Sequence, residues 1–479
     1  MTSHSGVPGR EPGGVSLVAA GHPVTADAAV AMLNQGGNAW DAAVAAGFAA
    51  TAAEPLFTSL AGGGFLLAAG PAQAPVLFDF FVSAPGMGRA APAPTPTPVP
   101  IRFGAATQTF HVGSGSVAVP GLLAGLLAVH RRLGTLPLGT VLRPAVEAAG
   151  EGQSAAPMVR VVSLLAPVMA RTATGTRLYL RNGKPLAATD HFHNPELADV
   201  LAQIGAGGRD GFDSQELGGS VTVDDVAAYR VEERQPLELL LPDGSGWTNP
   251  APAFGGRMIA MGLERLGGDE RGVDRFDPGG ALAVAETLVA QYQARQGMVG
   301  AVRGTTHLSV IDGRGNVASM TASNGSGSGE FAPETGVQLN NMMGEEDLHP
   351  AGFDAAVPGA RIPSMMAPTA LRLGDVSLAL GSGGSERIRS TMTQVAAELT
   401  IGRHDPRGAV LRPRMHWDGT ALQVEPGLPE AAMRALERAH PVVRWDHTDL
   451  YFGGLHLVAT PDVAVGDPRR GGVQRLVAQ

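Results

Sequence analysis

The stretch "RGTTHLSVIDGRGNVASMT", residues 303–321, places two adjacent threonines directly after Gly304. Threonine is common in β-strands, so one interpretation is that a strand simply begins there. A glycine followed by two hydroxyl groups also suits a reactive site, and the rest of the chain has to decide between the two. The segments "TTHLSVI" and "VASMTAS" both have strand composition, and the "DGRGN" between them (312–316) is rich in turn-forming residues. This pattern predicts a β-hairpin.

The register of that hairpin determines which side chains meet. A loop over 312–316 places Ile311 opposite Val317, and counting back along both strands places Thr305 opposite Ser323. Directly opposed residues on one face of an antiparallel pair are in contact. We therefore expect these two hydroxyl groups together at the end of the hairpin. They can orient a nucleophile there, or they can form an ordinary cross-strand hydrogen bond.

The composition is that of a folded globular protein. The chain has 479 residues, of which 44% are hydrophobic and 16% are charged. A net charge of −9 provides no basic surface, so nucleic acid is not an expected partner. The absence of cysteine from the sequence excludes disulfides and thiol catalysis, and Lys184 is the only lysine that could form a Schiff base.

The sequence also lacks the usual features of secreted or membrane proteins. The first residues, "MTSHSGVPGREPGGVSL", contain no apolar core preceded by basic residues. The longest uncharged alanine-rich run, residues 42–53, is shorter than the roughly 20 residues that span a bilayer. We therefore expect a cytoplasmic protein that does not bind a membrane.

Helix and strand patterns alternate along the chain, which predicts a layered α/β protein, built around one extended core rather than two domains. Asn38 is placed to cap a helix with Asp41 completing a capping box, and Asn194 to cap another. Residues 281–295 form the last strong helix before the hairpin. The segment "APAPTPTPVP" (91–100) is expected to be an extended, polyproline-like loop.

Three further motifs have some features of binding sites. "SNGSGSGE" (323–330) is rich in glycine, but it lacks the following Lys-Ser/Thr and helix that a phosphate-binding loop needs. "GSGGSERI" (381–388) precedes a helical segment, so its amides either bind an anion or oxyanion or simply form a tight turn. "DHFHN" (190–194) has two histidines without a third ligand at metal-site spacing, which favours a surface pair over a metal site. No cofactor or metal is therefore expected.

Four stretches together resemble the γ-glutamyltranspeptidase family of N-terminal nucleophile hydrolases. They are "GTTHLSVIDGRGNVASMTASNGSGSG", "TGVQLNNMMGEEDL", "RIPSMMAPT" and "GSGGSERI". The N-terminal segments "LNQGGNAWDAAVAAGFA", "GGGFLL", "VPGLLAGL", "GTLPL" and "DVAAYRVEER" are similar to other landmarks of that family. The resemblance therefore extends over nearly the whole chain.

The resemblance implies a four-layer αββα sandwich and a precursor that cleaves itself between Gly304 and Thr305. Residues 1–304 and 305–479 then remain folded together, and a homodimer of this processed unit is left open. Thr305 matches the catalytic nucleophile, and Ser323 matches the hydroxyl that orients it, in agreement with the predicted register. Gly383 and Gly384 match the glycine pair whose amides face the oxyanion.

The acyl side of the substrate pocket departs from the family pattern. Phe81, in "LFDFFVSAPG", stands where the family has an arginine that holds the glutamyl α-carboxylate. Of the family's paired serines, Ser364 is kept and is followed by a methionine. Phenylalanine cannot bind a carboxylate, so another arginine, such as Arg89 or Arg361, is needed if the substrate carries one.

The amine side of the pocket is also altered. Asn324 matches a family asparagine, and Glu345 stands where an aspartate is expected. Met342 replaces a glutamine. The nucleophile and oxyanion glycines thus match the family better than the residues that grip the amino-acid part of the substrate.

Three functions are compatible with these features of the sequence. The preferred one is a self-processing γ-glutamyltransferase or glutathione hydrolase that transfers the acyl group of a small γ-glutamyl amide to water or an amine. The second is an acylase of the same fold with another acyl donor, such as a cephalosporin or glutaryl amide. The third is an inactive binding relative, which the intact Thr305, Ser323 and glycine pair argue against.

Overall fold

The computed structural model describes residues 14–89, 94–103, 106–208, 217, 220–295, 304–345 and 356–478. Its strands and helices are numbered along the chain. Two large antiparallel β-sheets carry most of the fold, and helices cover them on either side.

The first sheet has seven strands, with the predicted hairpin near its centre. In spatial order the strands are β10 (Glu232–Arg234), β3 (Gln73–Phe80), β2 (Gly63–Gly70), β14 (Val317–Ser323), β13 (Thr305–Ile311), β1 (Ser16–Ala20) and β22 (Val473–Val477).

The second sheet has six strands and packs on the inner face of the first. In spatial order they are β11 (Leu237–Leu239), β12 (Ser245–Thr248), β15 (Thr369–Leu373), β16 (Val376–Gly383), β20 (Gly454–Ala459) and β21 (Val463–Val465).

Two groups of helices form the outer layers. Against the first sheet lie α1 (Pro23–Asn34), α2 (Ala39–Ala53), α3 (Leu122–Leu133), α4 (Leu138–Glu151) and α7 (Pro195–Gly207). On the side of the second sheet lie α9 (Gly255–Gly267), α10 (Pro278–Arg295), α11 (Arg387–Thr400), α12 (Pro406–Leu411) and α13 (Glu430–Ala439). The order of layers is helix, sheet, sheet, helix, so the predicted αββα sandwich is confirmed.

Smaller elements lie outside these layers. The helices are α5 (Val159–Met169), α6 (Ala173–Tyr179) and α8 (Val223–Ala228). The strands are β4 (Thr97–Phe103), β5 (Ala106–Val112), β6 (Gln153–Ser154), β7 (Leu180–Arg181), β8 (Lys184–Pro185), β9 (His191–Phe192), β17 (Met415–Trp417), β18 (Leu422–Val424) and β19 (Val442–Arg444). Across the described ranges, every helix is either too short or too polar to cross a bilayer.

One local expectation was wrong. Residues 91–100 were expected to be an extended loop, but from Thr97 onward they form β4, which pairs with β5. Pro98 and Pro100 alternate with residues that keep their amide hydrogens, and a two-stranded sheet has free edges that tolerate proline. Residues 91–93 of the same segment lie outside the described residues.

The predicted register of the central hairpin is confirmed. Ile311 lies opposite Val317, and Thr305 lies opposite Ser323. The two helix caps predicted for α2 and α7 are also present, since Asn38 and Asp41 form the expected capping box and Asn194 accepts a hydrogen bond from the first turn of α7.

Asp312 fixes the turn of this hairpin and joins it to α2. Its Oδ1 accepts hydrogen bonds from the amides of Arg314 (2.9 Å) and Asn316 (3.0 Å). Its Oδ2 accepts one from the amide of Ala39 (2.9 Å), at the start of α2. Asp312 and Ala39 are both buried, so the amide of Ala39 has no water to replace the carboxylate. The register of the strand that begins at Thr305 therefore depends on this side chain.

We predict that Asp312→Ala lowers the free energy of unfolding by about 2–4 kcal/mol, because it leaves the buried amide of Ala39 and two amides of the turn without their acceptor. Urea denaturation measures the change. Asp375→Ala is the matched control, since Asp375 occupies the exposed turn between β15 and β16 and should change stability by less than about 0.5 kcal/mol. Equal, small effects of both substitutions would contradict this role for Asp312.

Candidate functional site

Thr305 is buried at the first position of β13, where the sheet is incomplete. On one side it pairs with Ser323, but β1 ends at Ala20, which lies opposite Leu308. Thr305 therefore extends beyond the end of its other neighbouring strand. Its carbonyl oxygen faces Gly383 of the second sheet, so the residue lies between the two sheets.

Ser323 connects Thr305 to the preceding peptide bond. The hydroxyl of Thr305 donates to Ser323 Oγ over 3.5 Å, and the amide of Gly325 donates to the same oxygen over 3.1 Å. The Ser323 hydroxyl in turn donates to the carbonyl oxygen of Gly304. Ser323 thus holds the carbonyl group that precedes Thr305 while its own oxygen is fixed by a backbone amide.

The position of Gly304 explains why a glycine is required there. A Cβ atom added to Gly304 would lie 1.9 Å from the carbonyl oxygen of Gly325 and 2.9 Å from that of Leu56. These are backbone atoms that cannot move without displacing the turn after β14. Any other residue would therefore shift the carbonyl group that Ser323 holds.

The second threonine of the pair has a different environment, which the sequence analysis missed. Thr306 faces the opposite side of the sheet and donates to Oε2 of Glu54 over 2.5 Å, while Thr25 donates to Oε1 over 2.8 Å. Burial raises the pKa of Glu54, and the two hydroxyl donors and the nearby Arg470 oppose that rise. Thr306 therefore anchors the start of β13 to the end of α2.

The glycine pair lies at the end of β16, just before α11. A Cβ atom added to Gly383 would lie 2.3 Å from the carbonyl oxygen of Thr305, so the two sheets are in close contact at this point. Gly384 has a φ of +128°, which residues with side chains rarely adopt. Gly383 therefore lies directly against the backbone of Thr305. The oxyanion role of Gly383 and Gly384 remains a prediction.

Phe81 lies one strand away from Ser323. Gly63 lies between them, because it pairs with Ser323 in the sheet. A Cβ atom added to Gly63 would lie 3.1 Å from the carbonyl carbon of Phe81. The Phe81 ring is fully buried and stacks on Phe65, with ring centroids 5.5 Å apart. An apolar ring therefore occupies the position at which the family resemblance places a carboxylate-binding arginine.

Arg361, one of the two candidate replacements, is already engaged. Its Nη1 donates to the carbonyl oxygen of Phe81 over 2.5 Å, and its Nε lies 3.2 Å from Asp79 Oδ1. Its side chain is only 8% exposed and also stacks on Tyr229. The guanidinium fork is thus used within the protein. The other candidate, Arg89, has an Nη2 without a hydrogen-bond partner among the described residues.

Two predicted residues of the amine side lie near Ser323. Asn324 is buried next to it, and within the described ranges its Oδ1 has no hydrogen-bond partner. Glu345 is also buried, with its Oε1 3.5 Å from the hydroxyl of Ser326 in the same turn. Asn324 therefore begins the turn after β14, and Glu345 lies against that turn.

Ser364 is placed differently from the others. Its Oγ accepts a hydrogen bond from the amide of Met366 (3.1 Å), and its carbonyl accepts one from Phe254 at the start of α9 (2.9 Å). In the described part of the chain it has no hydrogen bond to Thr305. Its predicted role in substrate binding remains a prediction.

The family relationship follows from comparison with known proteins. The Gamma-glutamyltranspeptidase family model matches residues 25–303 and 281–477. The chain belongs to the gamma-glutamyltranspeptidase family. It is accordingly an enzyme and a hydrolase of that family.

Relatives within the gamma-glutamyltranspeptidase family include proteins named as acylases and as glutathione hydrolases. The Acylase ACY 1 proenzyme of Pseudomonas sp. (strain SE83) is 31% identical over 94% of this chain and 91% of its own length. The Glutathione hydrolase proenzyme of Escherichia coli (strain K12) is 26% identical over 88% of this chain and 84% of its own length.

A solved structure supports the fold independently. The crystal structure of cephalosporin acylase from Bacillus halodurans matches with a TM-score of 0.78 over 99% of both chains, at 22% identity. At this identity the match concerns the fold alone.

We predict that Ser323→Ala lowers kcat by roughly 10²-fold or more and slows cleavage after Gly304. The variant of this gamma-glutamyltranspeptidase family member lacks the hydroxyl that contacts both the Thr305 hydroxyl and the Gly304 carbonyl. Steady-state kinetics and intact-mass analysis measure the two effects. Ser323→Thr keeps the hydroxyl and should retain much of both activities. Full kcat with complete cleavage in Ser323→Ala would show that Ser323 does not position Thr305.

Proposed function

We propose that this protein is a self-processing amide acylase. The precursor cleaves its Gly304–Thr305 bond, and Thr305 becomes the N-terminal nucleophile of residues 305–479. The observation that carries this proposal is the arrangement of three groups: the Thr305 hydroxyl lies 3.5 Å from Ser323 Oγ, and the Ser323 hydroxyl donates to the Gly304 carbonyl. The nucleophile and the carbonyl that it would attack are thus held by one side chain.

Self-processing begins with attack of Thr305 Oγ1 on the carbonyl carbon of Gly304. The hydrogen bond from Ser323 draws electron density from that carbonyl as the tetrahedral intermediate forms. Collapse of the intermediate breaks the C–N bond, moves the acyl group to the hydroxyl as an ester and frees the amine. Water then hydrolyses the ester, leaving a carboxylate on Gly304 and a free α-amine on Thr305.

Turnover repeats this chemistry on an external amide. The α-amine of Thr305, whose ordinary pKa is about 8, accepts the proton of its own hydroxyl as that hydroxyl attacks the substrate. Amides of Gly383 and Gly384 bind the oxyanion, in keeping with the closeness of Gly383 to Thr305. The amine product leaves, and water or another amine releases the acyl group from Thr305.

We predict that wild-type protein yields two chains, Met1–Gly304 and Thr305–Gln479, whereas Thr305→Ala remains a single chain of 479 residues. The alanine variant has no hydroxyl to attack Gly304. Intact-mass analysis after incubation of purified protein distinguishes the two. A wild-type preparation that stays a single chain under conditions that preserve the fold would contradict self-processing.

Phe81 favours an acylase over a γ-glutamyl enzyme. A γ-glutamyl donor carries an α-carboxylate, and leaving such a charge beside an aromatic ring without a partner costs several kcal/mol. Arg361 cannot supply the missing fork, because Asp79 and the Phe81 carbonyl already occupy it. A donor whose acyl chain is not glutamyl avoids this cost, and the 31% identical relative is named an acylase.

The second candidate is hydrolysis or transfer of γ-glutamyl compounds of the glutathione type. Asn324 favours it, since its buried Oδ1 has no partner among the described residues and can accept a hydrogen bond from a substrate ammonium. Glu345, which lies 3.5 Å from the hydroxyl of Ser326 in the turn after β14, adds a carboxylate on that side. The two candidates differ in whether the α-amino and α-carboxylate groups improve binding.

We predict that wild-type enzyme has a higher kcat/KM for the butyryl anilide than for the glutaryl and γ-glutamyl anilides, which both carry the carboxylate. The glutaryl compound lacks the α-amine, and the butyryl compound lacks both the α-amine and the carboxylate. Phe81→Arg should shift the preference toward the γ-glutamyl anilide by roughly 10-fold or more, because it restores a forked partner. Phe81→Leu, which removes the ring without adding charge, is the matched control.

A different ranking would reverse the choice between the candidates. Strong wild-type preference for the γ-glutamyl anilide that survives Arg89→Ala would contradict the acylase proposal and favour the second candidate. A wild-type preference that is lost in Arg89→Ala would identify Arg89 as the carboxylate partner instead.

A further inference from the structure

Arg470 contacts the nucleophile directly, although no sequence motif pointed to it. It lies between β21 and β22, and its Nη1 donates to the carbonyl oxygen of Thr305 over 3.2 Å. That carbonyl belongs to the part of β13 that extends beyond the end of β1. Arg470 therefore binds the backbone of Thr305 where the sheet provides no strand on that side.

Two glycines of the second sheet leave space for the Arg470 side chain. Gly454 and Gly383 pair in register in the second sheet, and the arginine stem lies across them. A Cβ atom added to Gly454 would lie 2.5 Å from Arg470 Cδ, and one added to Gly383 would lie 3.2 Å from Nη1. The guanidinium also stacks over the ring of Phe57, 5.5 Å from its centroid. Its position is thus fixed along its whole length.

The charge of Arg470 has no direct counterion in the described part of the chain. The nearest acidic neighbour along the sequence, Asp467, is bound to Arg414 (2.7 Å) and Arg469 (3.3 Å). Burial lowers the pKa of Arg470 to about 10, which still leaves it charged at neutral pH. Glu54 lies near enough to interact with it but forms no ion pair, since its oxygens accept from two threonines.

Other ionisable groups around Thr305 are neutral or engaged elsewhere. On the same strand, burial lowers the pKa of His307 well below its usual range, so this ring is uncharged. The carboxylate of Glu345 lies 3.5 Å from the hydroxyl of Ser326, in the turn after β14. At the start of α11, Arg387 donates to the carbonyl oxygen of Tyr451 over 3.0 Å. Asp449, two residues before Tyr451, pairs with Arg160 over 2.8 Å.

We propose that Arg470 is a positioning residue for the nucleophile: it holds the carbonyl of Thr305, and its charge keeps the α-amine released by cleavage in its neutral, basic form. This inference rests on the proposed function, because the α-amine exists only after Gly304–Thr305 cleavage. It explains why a cation is held against the backbone of the residue that must act as its own base.

The electrostatic argument follows from distance. The amine nitrogen and carbonyl oxygen of one residue are close together, so the α-amine of Thr305 lies no more than about 7 Å from the Arg470 nitrogen. A nearby positive charge disfavours a second one, which lowers the pKa of the amine below its ordinary value of about 8. Removing the charge should raise that pKa. The acidic limb of the kcat/KM profile, which requires the neutral amine, then moves to higher pH.

The test measures kcat/KM against pH for wild type, Arg470→Gln and Arg470→Lys, with the anilide that wild type cleaves best. We expect the acidic limb of Arg470→Gln to move up by about one pH unit. Arg470→Lys keeps the charge, so its acidic limb should stay at the wild-type pH, while its kcat should be lower. Arg403→Gln is the matched control. It removes an exposed arginine just beyond the far end of α11, and its limb should not move.

Intact mass, measured first, separates the two proposals. A wild-type enzyme that stays a single chain contradicts the proposed function, whereas a cleaved Arg470→Gln variant with an unmoved acidic limb overturns only the role of Arg470. A purely structural role would lower kcat at every pH without moving the limb. If Arg470→Gln fails to cleave, Gly454→Ala decides, because it displaces the arginine stem and leaves all charges in place. It should move the limb upward, and an unmoved limb would overturn the inference.

Discussion

Antiparallel pairing of Thr305 with Ser323 is the constraint on which the whole site depends. It brings a hydroxyl group to each side of the Gly304–Thr305 peptide bond, within the buried space between two sheets. A slip of one residue would turn every side chain of β13 to the opposite face and separate the Thr305 hydroxyl from Ser323. The turn at Asp312 and the capping of α2 by the same carboxylate prevent this slip.

The two adjacent threonines have separate roles because successive strand residues face opposite sides. Thr305 faces the second sheet, where Gly383 and Arg470 meet it, and Thr306 faces α2, where Glu54 accepts its hydrogen bond. The start of β13 is therefore held from both layers. Buried polar groups stabilise a structure only when they are paired, and these contacts pair them. As the proposed nucleophile, Thr305 would lose little freedom when a substrate binds.

Much of this arrangement could be predicted from the sequence, because it depends on local patterns. Turn-forming residues at 312–316 determine the hairpin register, and the register predicts the contact between Thr305 and Ser323. Glu54 and Arg470 could not be found in this way. Glu54 reaches Thr306 from the end of α2, and Arg470 reaches Thr305 from the segment before the last strand. Both lie far from the two threonines in the sequence, and no spacing rule connects them. The strand over Thr97–Phe103 was missed because its prolines suggested a loop.

The most direct test of the account is to trap the acyl-enzyme. Purified wild-type enzyme is quenched with acid during turnover of a slowly deacylated substrate, and the chain 305–479 is digested and mapped by mass spectrometry. The account predicts an added mass equal to the acyl group on the N-terminal peptide, located on Thr305, and no such mass in Thr305→Ala. An acyl group on any other residue, or continued turnover by Thr305→Ala, would contradict it.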